Sequence, residues 1–154
     1  MEKKLEVSAI ENGTVIDHIP ADALFKIINI LGLEQQSDLM VTFGMNFSSK
    51  SMGRKAIIKI SDRYCEDHEI NRIAVVAPNA CVNTIRDFKV VEKRLVKLPE
   101  QIDGFIRCGN PKCITNAEAI ETHFKVGCDA GGQVTFECRY CEKVTRRDEA
   151  QFKY

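Results

Sequence analysis

Two pairs of cysteines carry the clearest chemistry in this chain: Cys108-Gly-Asn-Pro-Lys-Cys113 and Cys138-Arg-Tyr-Cys141, separated by 24 residues. Zn²⁺ takes four ligands tetrahedrally, with Zn–S distances of ~2.3 Å. Two sulfurs from one short loop reach a single ion only if the loop folds back on itself, and Gly109 and Pro111 favour that in the first loop. A β-ribbon turning around Gly131-Gly132 would bring in the second pair. Four thiolates fill the coordination sphere and leave no position for a reactive water, so such a centre is structural and not hydrolytic. It carries a formal charge of −2. Arg107, Lys112, Arg139 and Lys143 flank the ligands and either offset that charge or stand as ordinary solvated residues.

The chain holds seven cysteines, five of them after residue 107. An odd number without a secretory signal points away from a disulfide framework and towards metal binding. Cys81 reads as a small buried hydrophobe in a strand, and Cys65 precedes a helix with no partner to name. Cys128 is a rival ligand, but it has no second cysteine at loop spacing. His18, His68 and His123 fall in separate elements with no nucleophile and acid alongside. The sequence lacks G-x-x-x-x-G-K-[ST], G-x-G-x-x-G and an H-x-E to accompany Cys138-x-x-Cys141. No catalytic set assembles from it.

Charge narrows the partners. Residues 1–100 hold 14 Lys/Arg and 14 Asp/Glu, and residues 101–154 hold eight of each. A protein that grips a polyanion through many phosphates carries a basic excess, so a nucleic acid polymer and an acidic membrane surface are both disfavoured. No apolar run nears the roughly 20 residues of a membrane span. Met1-Glu2-Lys3-Lys4 leads into an alternating stretch and not into the apolar segment of a signal peptide, which predicts a cytoplasmic protein.

The elements that must position these residues follow from periodicity. Leu5, Val7 and Ala9 alternate as a strand, Asn12-Gly13 signals a hairpin, and Thr14–Ile19 is the returning strand. Pro20 opens a helix with Leu24, Ile27, Ile28 and Leu31 on one face and Gly32 as its stop. Met40–Phe47 alternates again, with Val41, Phe43, Met45 and Phe47 on one side. A second strand lies near Ala56–Ile60. Glu66 and Asp67 begin a second helix, striped by Ile70, Ile73, Ala74 and Ala77 and ended by Pro78. Two strands, Cys81–Ile85 and Phe88–Val96, complete an α+β unit: an antiparallel sheet with two helices on one face, a ferredoxin-like split β-α-β plan. The expected organisation is a first domain at 1–97, a linker at 98–104 around Leu98-Pro99-Glu100-Gln101, and a small all-β, zinc-ribbon-like domain at 105–154. The last segment is too short to bury a self-sufficient core without a staple.

Several segments together resemble the regulatory chain of aspartate carbamoyltransferase. They are Gly13-Thr-Val-Ile-Asp-His-Ile-Pro20, Met52-Gly-Arg-Lys55 running into Ile57-Ile-Lys-Ile60, Ala77-Pro78 through Val82-Asn83, Leu98-Pro-Glu-Gln-Ile-Asp103, Cys108 to Cys113 with Ile114, and Cys138-Arg-Tyr-Cys-Glu-Lys143. They run in the family's order and span nearly the whole chain. The resemblance implies a non-catalytic subunit: an allosteric domain that binds the nucleoside triphosphates CTP, UTP and ATP, and a zinc domain held by Cys108, Cys113, Cys138 and Cys141 that contacts the catalytic chain. It also implies a regulatory dimer, and control of the carbamoyl transfer to aspartate that commits material to pyrimidine biosynthesis.

By matching position, the resemblance makes Lys93 a contact for phosphates and ribose, Lys59 one for base and ribose, and Asp17 one for the ribose hydroxyls. Ala9, Ile10, Val15, Asn83, Phe88 and Val90 would line the base pocket. Phe88 stands where the family often has Tyr, Cys81 where Thr is common, and Ser8 where an acidic residue is usual, so the ranking of CTP against ATP stays open. Two other readings remain from the residues alone. A transcription-type zinc ribbon would show a basic face, and a small-molecule enzyme would show turnover by the isolated chain.

Overall fold

The computed structural model describes residues 9–154 and divides into two compact units, the first ending at Lys97 and the second running from Leu98 to Tyr154. In the first, β1 (Gly13–Ile19) is followed by a 3₁₀ turn at Ala21–Ala23 and by α1 (Leu24–Ile30). Then come β2 (Val41–Ser49), β3 (Gly53–Ser61), α2 (Asp67–Val76), β4 (Cys81–Arg86) and β5 (Lys89–Leu95). The sheet order is β2-β3-β1-β4-β5, every neighbouring pair antiparallel. β1–α1–β2 with β3 inserted between its strands is the split β-α-β unit that the sequence pattern predicts.

Two alternating faces decide what the sheet can do. Ile16, Ile58, Ile60 and Val82 are buried, and with Leu24, Ile27, Ile28 and Leu31 of the first helical segment and Ile70, Ile73 and Ala74 of α2 they form the core. Val15, Asp17, Lys59 and Asn83 alternate with those strand residues, are only half-buried, and belong to the open face. α2 starts with a reciprocal capping box in which the Glu66 carboxylate accepts from the N3 backbone and the Glu66 N–H donates to Glu69 at 3.0 Å. Arg63 joins the two helices: it donates to the Leu31 carbonyl at 2.6 Å, to Gln36 at 2.9 Å and to the Glu69 carboxylate at 2.6 Å.

Three features depart from the sequence pattern. Both edges of β1 are occupied, by β3 and by β4, so Asn12-Gly13 does not make a two-stranded hairpin. Instead the Asn12 carbonyl accepts from Asp62 N–H at 3.0 Å and its side chain from Asp87 N–H at 3.2 Å. The strand read at Leu5–Ala9 lies, except for Ala9, outside the described residues. β2 is an edge strand whose register with β3 shifts between Gly44 and Phe47, with Asn46 at φ 67°. That bulge breaks the two-residue period, and Phe43 and Met45 are 49% and 40% exposed. Phe88 lies in the β4–β5 turn at φ 64° and not within a strand.

The second unit consists of β6 (Gln101–Asp103), β7 (Ile106–Arg107), α3 (Ile114–Ala117), β8 (His123–Cys128), β9 (Val134–Cys138), β10 (Val144–Arg146) and β11 (Gln151–Phe152). One sheet has the order β10-β9-β8-β6, and β7 pairs with β11 in a separate ribbon. Of the segment 98–104 read as a linker, Gln101–Asp103 is the strand that pairs with β8. Phe105, Phe124 and Phe136 are fully buried; Phe124 meets Phe136 edge-on at 6.5 Å, and Phe105 stacks at a tilt on Phe152 at 5.1 Å. No helix among the described residues is long and apolar enough to cross a membrane.

Candidate functional site

The sulfur atoms of Cys108, Cys113, Cys138 and Cys141 lie within 4.8 Å of one another. The first pair comes from the loop between β7 and α3. Asn110 shapes that loop by accepting the Lys112 N–H on its side chain at 3.0 Å and the Cys113 N–H on its carbonyl at 3.0 Å. Asn116 closes it from below, its amide donating to the carbonyls of Cys108 at 2.9 Å and Asn110 at 2.7 Å. The second pair spans the turn after β9, where Glu142 at φ 64° lets the chain double back and the Cys138 N–H donate to Lys143 at 3.0 Å. The β8–β9 ribbon, turning through Gly132 at φ 81°, carries this pair.

Sγ–Sγ separations of 3.5 Å (Cys108–Cys141) and 3.8 Å (Cys113–Cys138) fit the donor set of a tetrahedral ion, since Zn–S bonds of ~2.3 Å require tetrahedron edges of about 3.8 Å. Thr115 Oγ1 donates to Cys113 Sγ at 3.2 Å, which orients that sulfur within the cluster. Burial pushes the Cys108 thiol up to about 12 and raises that of Cys138. At Cys141 burial also opposes ionisation, but the Lys143 N–H, Asn110 and the neighbouring thiols outweigh it and bring the group down to about 7. Cys128 is exposed and outside the cluster, and Cys81 is buried in β4. Burial followed by the Glu69 charge pushes the Cys65 thiol up to about 11, which makes it a poor nucleophile.

In the first unit the open face of the sheet holds a cleft of about 270 Å³ lined by Ala9, Ile10, Val15, Asp17, Lys59, Asn83, Ile85, Phe88 and Val90. The sheet order creates it. Lys59 is the register partner of Val15, Val15 is in turn opposite Asn83, and Asn83 is opposite Lys93 on β5. Eight of the nine residues singled out for an effector therefore share one wall or floor. Lys93 is outside the cleft lining but in register with it, and its charge reaches Cys81 next to Asn83. The Cys81 thiol lies 3.5 Å from Asn83 Oδ1.

The family profile described as aspartate carbamoyltransferase regulatory chain, allosteric domain, matches residues 5–97, and that of the metal binding domain matches residues 100–151. The chain belongs to the aspartate carbamoyltransferase regulatory chain family. It is 51% identical over 147 residues to the regulatory chain of Phocaeicola vulgatus, covering 96% of this chain and 93% of the relative. Identity to that of Parabacteroides distasonis is 47% over 152 residues (99% and 97%). To the Pyrococcus horikoshii chain it is 48% over 147 residues (95% of each). A regulatory chain of this family is the non-catalytic subunit, in keeping with the lack of a catalytic set in the sequence.

Three residues of this regulatory chain were missed by sequence reasoning. Lys55 Nζ pairs with Asp17 at 2.9 Å, with both groups largely shielded, so Asp17 is held by a cation four residues before Lys59 on the same strand face. The signal was present, since Lys55, Ile57 and Lys59 share one side of β3. Ile85 completes the apolar floor of the cleft. Thr115, two residues past Cys113, carries no spacing signature at all. Asp17 is itself aimed by a local irregularity. The β1–β3 register shifts between Ile16 and Ile19, His18 sits at φ 58°, and the His18 N–H donates to Asp17 Oδ1 at 2.7 Å. Partial burial lowers the Lys59 ammonium below its usual 10.5, opposed by the Asp17 carboxylate.

Proposed function

We propose that this regulatory chain binds nucleoside triphosphates in the cleft on the open face of its first unit. We further propose that it transmits their presence to an aspartate carbamoyltransferase catalytic chain through a second unit folded around one Zn²⁺. The observation that carries the reading is the convergence of Asp17, Lys59 and Asn83 with the apolar Val15, Ile85, Phe88 and Val90 around one cleft. The chemistry suits a nucleotide. Apolar walls take a base, Asp17 accepts from ribose hydroxyls, and Lys59 and Lys93 supply ammonium groups to ribose and phosphate oxygens. CTP, UTP and ATP are the effectors in this reading, and the sign and ranking of their effects belong to the assembled enzyme.

Zn²⁺ would be held by Cys108, Cys113, Cys138 and Cys141 and would supply no chemistry beyond cross-linking two loops of a small unit. An effector shifts the partner only by binding its two states unequally, with coupling of ~1–3 kcal/mol, or about 5–150-fold in affinity. Asp17, Lys59 and Lys93 are the groups whose contacts would differ. A regulatory dimer and a cytoplasmic location complete the proposal, with control of pyrimidine biosynthesis as its role. The exposed outer strand β2, with Phe43 and Met45 uncovered and Met40 exposed just before it, is consistent with self-association.

Lys93→Ala tests the cleft. The variant keeps its zinc content and its association with the catalytic chain but loses nucleotide affinity by calorimetry and the nucleotide response of carbamoyl transfer. Full CTP response in this variant refutes the assignment.

A further inference from the structure

Phe88, the one aromatic residue lining the cleft of the first unit, is held in place from outside that lining. β4 and β5 are joined by a two-residue turn, Asp87–Phe88, between the register partners Arg86 and Lys89. Both turn residues are left-handed, at φ 50° and 64°. That conformation suits the twist of a two-residue hairpin, but its second position is ordinarily a glycine's, and a side chain as bulky as Phe is strained there. Strained backbone persists only where its surroundings over-determine it. Phe88 supplies little of that restraint through its own packing, since it is 64% exposed.

The restraint comes from Glu11 and Asn12, the latter 75 residues before Asp87. The Glu11 carbonyl accepts the Phe88 N–H at 2.9 Å and Asn12 Oδ1 accepts the Asp87 N–H at 3.2 Å, so both amides of the turn are tied to one dipeptide. The dipeptide is itself anchored to β3. The Asn12 carbonyl accepts the Asp62 N–H at 3.0 Å, and Gly13 lies so close to the Ile60 carbonyl that a Cβ there would collide with it. Ala9 and Ile10, just before the dipeptide, line the same cleft, as does Ile85, the register partner of Gly13. Two hydrogen bonds thus join separate stretches of one cleft wall.

We propose that Asn12 is a positioning residue for the effector: its side-chain oxygen, with the Glu11 carbonyl, holds the Asp87–Phe88 turn so that the Phe88 ring stands ready against a nucleobase. Asn12 is not part of the cleft lining and acts only through the turn. An exposed ring on a slack turn has to be ordered when the ligand arrives, and that ordering lowers affinity. A ring held beforehand stacks without it. The inference rests on the nucleotide reading of the cleft given above and adds what fixes its aromatic wall.

The test is calorimetric titration of the full zinc-loaded chain with CTP, alongside thermal melting. Asn12→Ala is expected to weaken CTP binding about fivefold, the order of one lost hydrogen bond, with the first unit still folded. Asn12→Asp, which keeps an acceptor oxygen for the Asp87 N–H, retains most of the wild-type affinity. In a Phe88→Ala background, itself weaker for CTP, Asn12→Ala has little further effect, because the ring that it positions is gone. Wild-type CTP affinity in Asn12→Ala, whatever its melting temperature, reduces the contact to a turn staple and overturns the proposal. An equal loss with and without the Phe88 ring also overturns it, since Asn12 would then act by another route. Wild-type affinity in Phe88→Ala removes the ring from the binding wall and overturns the positioning role, while the nucleotide reading of the cleft stands. A wild-type chain that binds no CTP removes that reading and the positioning role together.

Discussion

Removing the metal should unfold the second unit and leave the first intact. The six largest buried apolar side chains of the second unit, Ile102, Phe105, Ile106, Phe124, Val134 and Phe136, contribute roughly 9–18 kcal/mol at ~1.5–3 kcal/mol each, before conformational entropy is set against them. A four-thiolate Zn²⁺ contributes on the order of 10 kcal/mol, about the whole net stability of a small domain. Chelation, or Cys113→Ser, therefore takes away as much as the unit has to lose. The first unit rests on Ile16, Ile19, Leu24, Ile27, Ile58, Ile60 and Ile73, all fully buried, and involves no metal ligand. Amide exchange read by mass spectrometry separates the two. Peptides covering β8 and β9 should exchange at unfolded rates after chelation, while those covering β1, β3 and α2 keep their protection. If β8 and β9 stay protected in protein shown to be metal-free, the aromatic cluster alone folds the unit and the structural role of the metal is wrong.

Thr115→Val removes the hydroxyl that donates to Cys113 and should cost about 1 kcal/mol, read as roughly fivefold faster zinc transfer to a chromogenic chelator at unchanged fold. Gly13→Ala places a methyl against the Ile60 carbonyl at a backbone φ of 137°, in the central strand, and should destabilise the first unit by about 3 kcal/mol or more in thermal melts. Nucleotide affinity should fall on the alkaline side below the 10.5 of a free lysine, because Lys59 loses its charge early there. The sign is fixed: the protonated amine is the binding form, it is complete below the lowered value, and it is lost as pH rises through it. Lys59→Gln should abolish that limb in a calorimetric pH series.

Local signals were enough where the physics is local. Loop spacing alone marks the two cysteine pairs, since a short loop that folds back fixes where two sulfurs go, and the structure brings all four together. Helix α2 was legible from its acidic start and apolar stripe, down to Glu66. The split β-α-β order followed from alternation of strand and helix patterns. Asn12-Gly13 misled because a turn propensity speaks for four residues, whereas both flanks of β1 are claimed by strands more than thirty residues later in the chain. The alternation of β2 misled because an edge strand with a bulge has no second layer to enforce its period.

The amino-acid order indicated, unaided, that this chain has two units and that the later one carries a four-cysteine metal site. Only the folded sheet decided that Asp17, Lys59 and Asn83, drawn from three strands, look into one cleft, and that Lys55 holds Asp17. The reason is distance along the chain. Periodicity reports which side of its own strand a residue occupies, but which strands lie side by side, and in what register, is settled by packing of the whole.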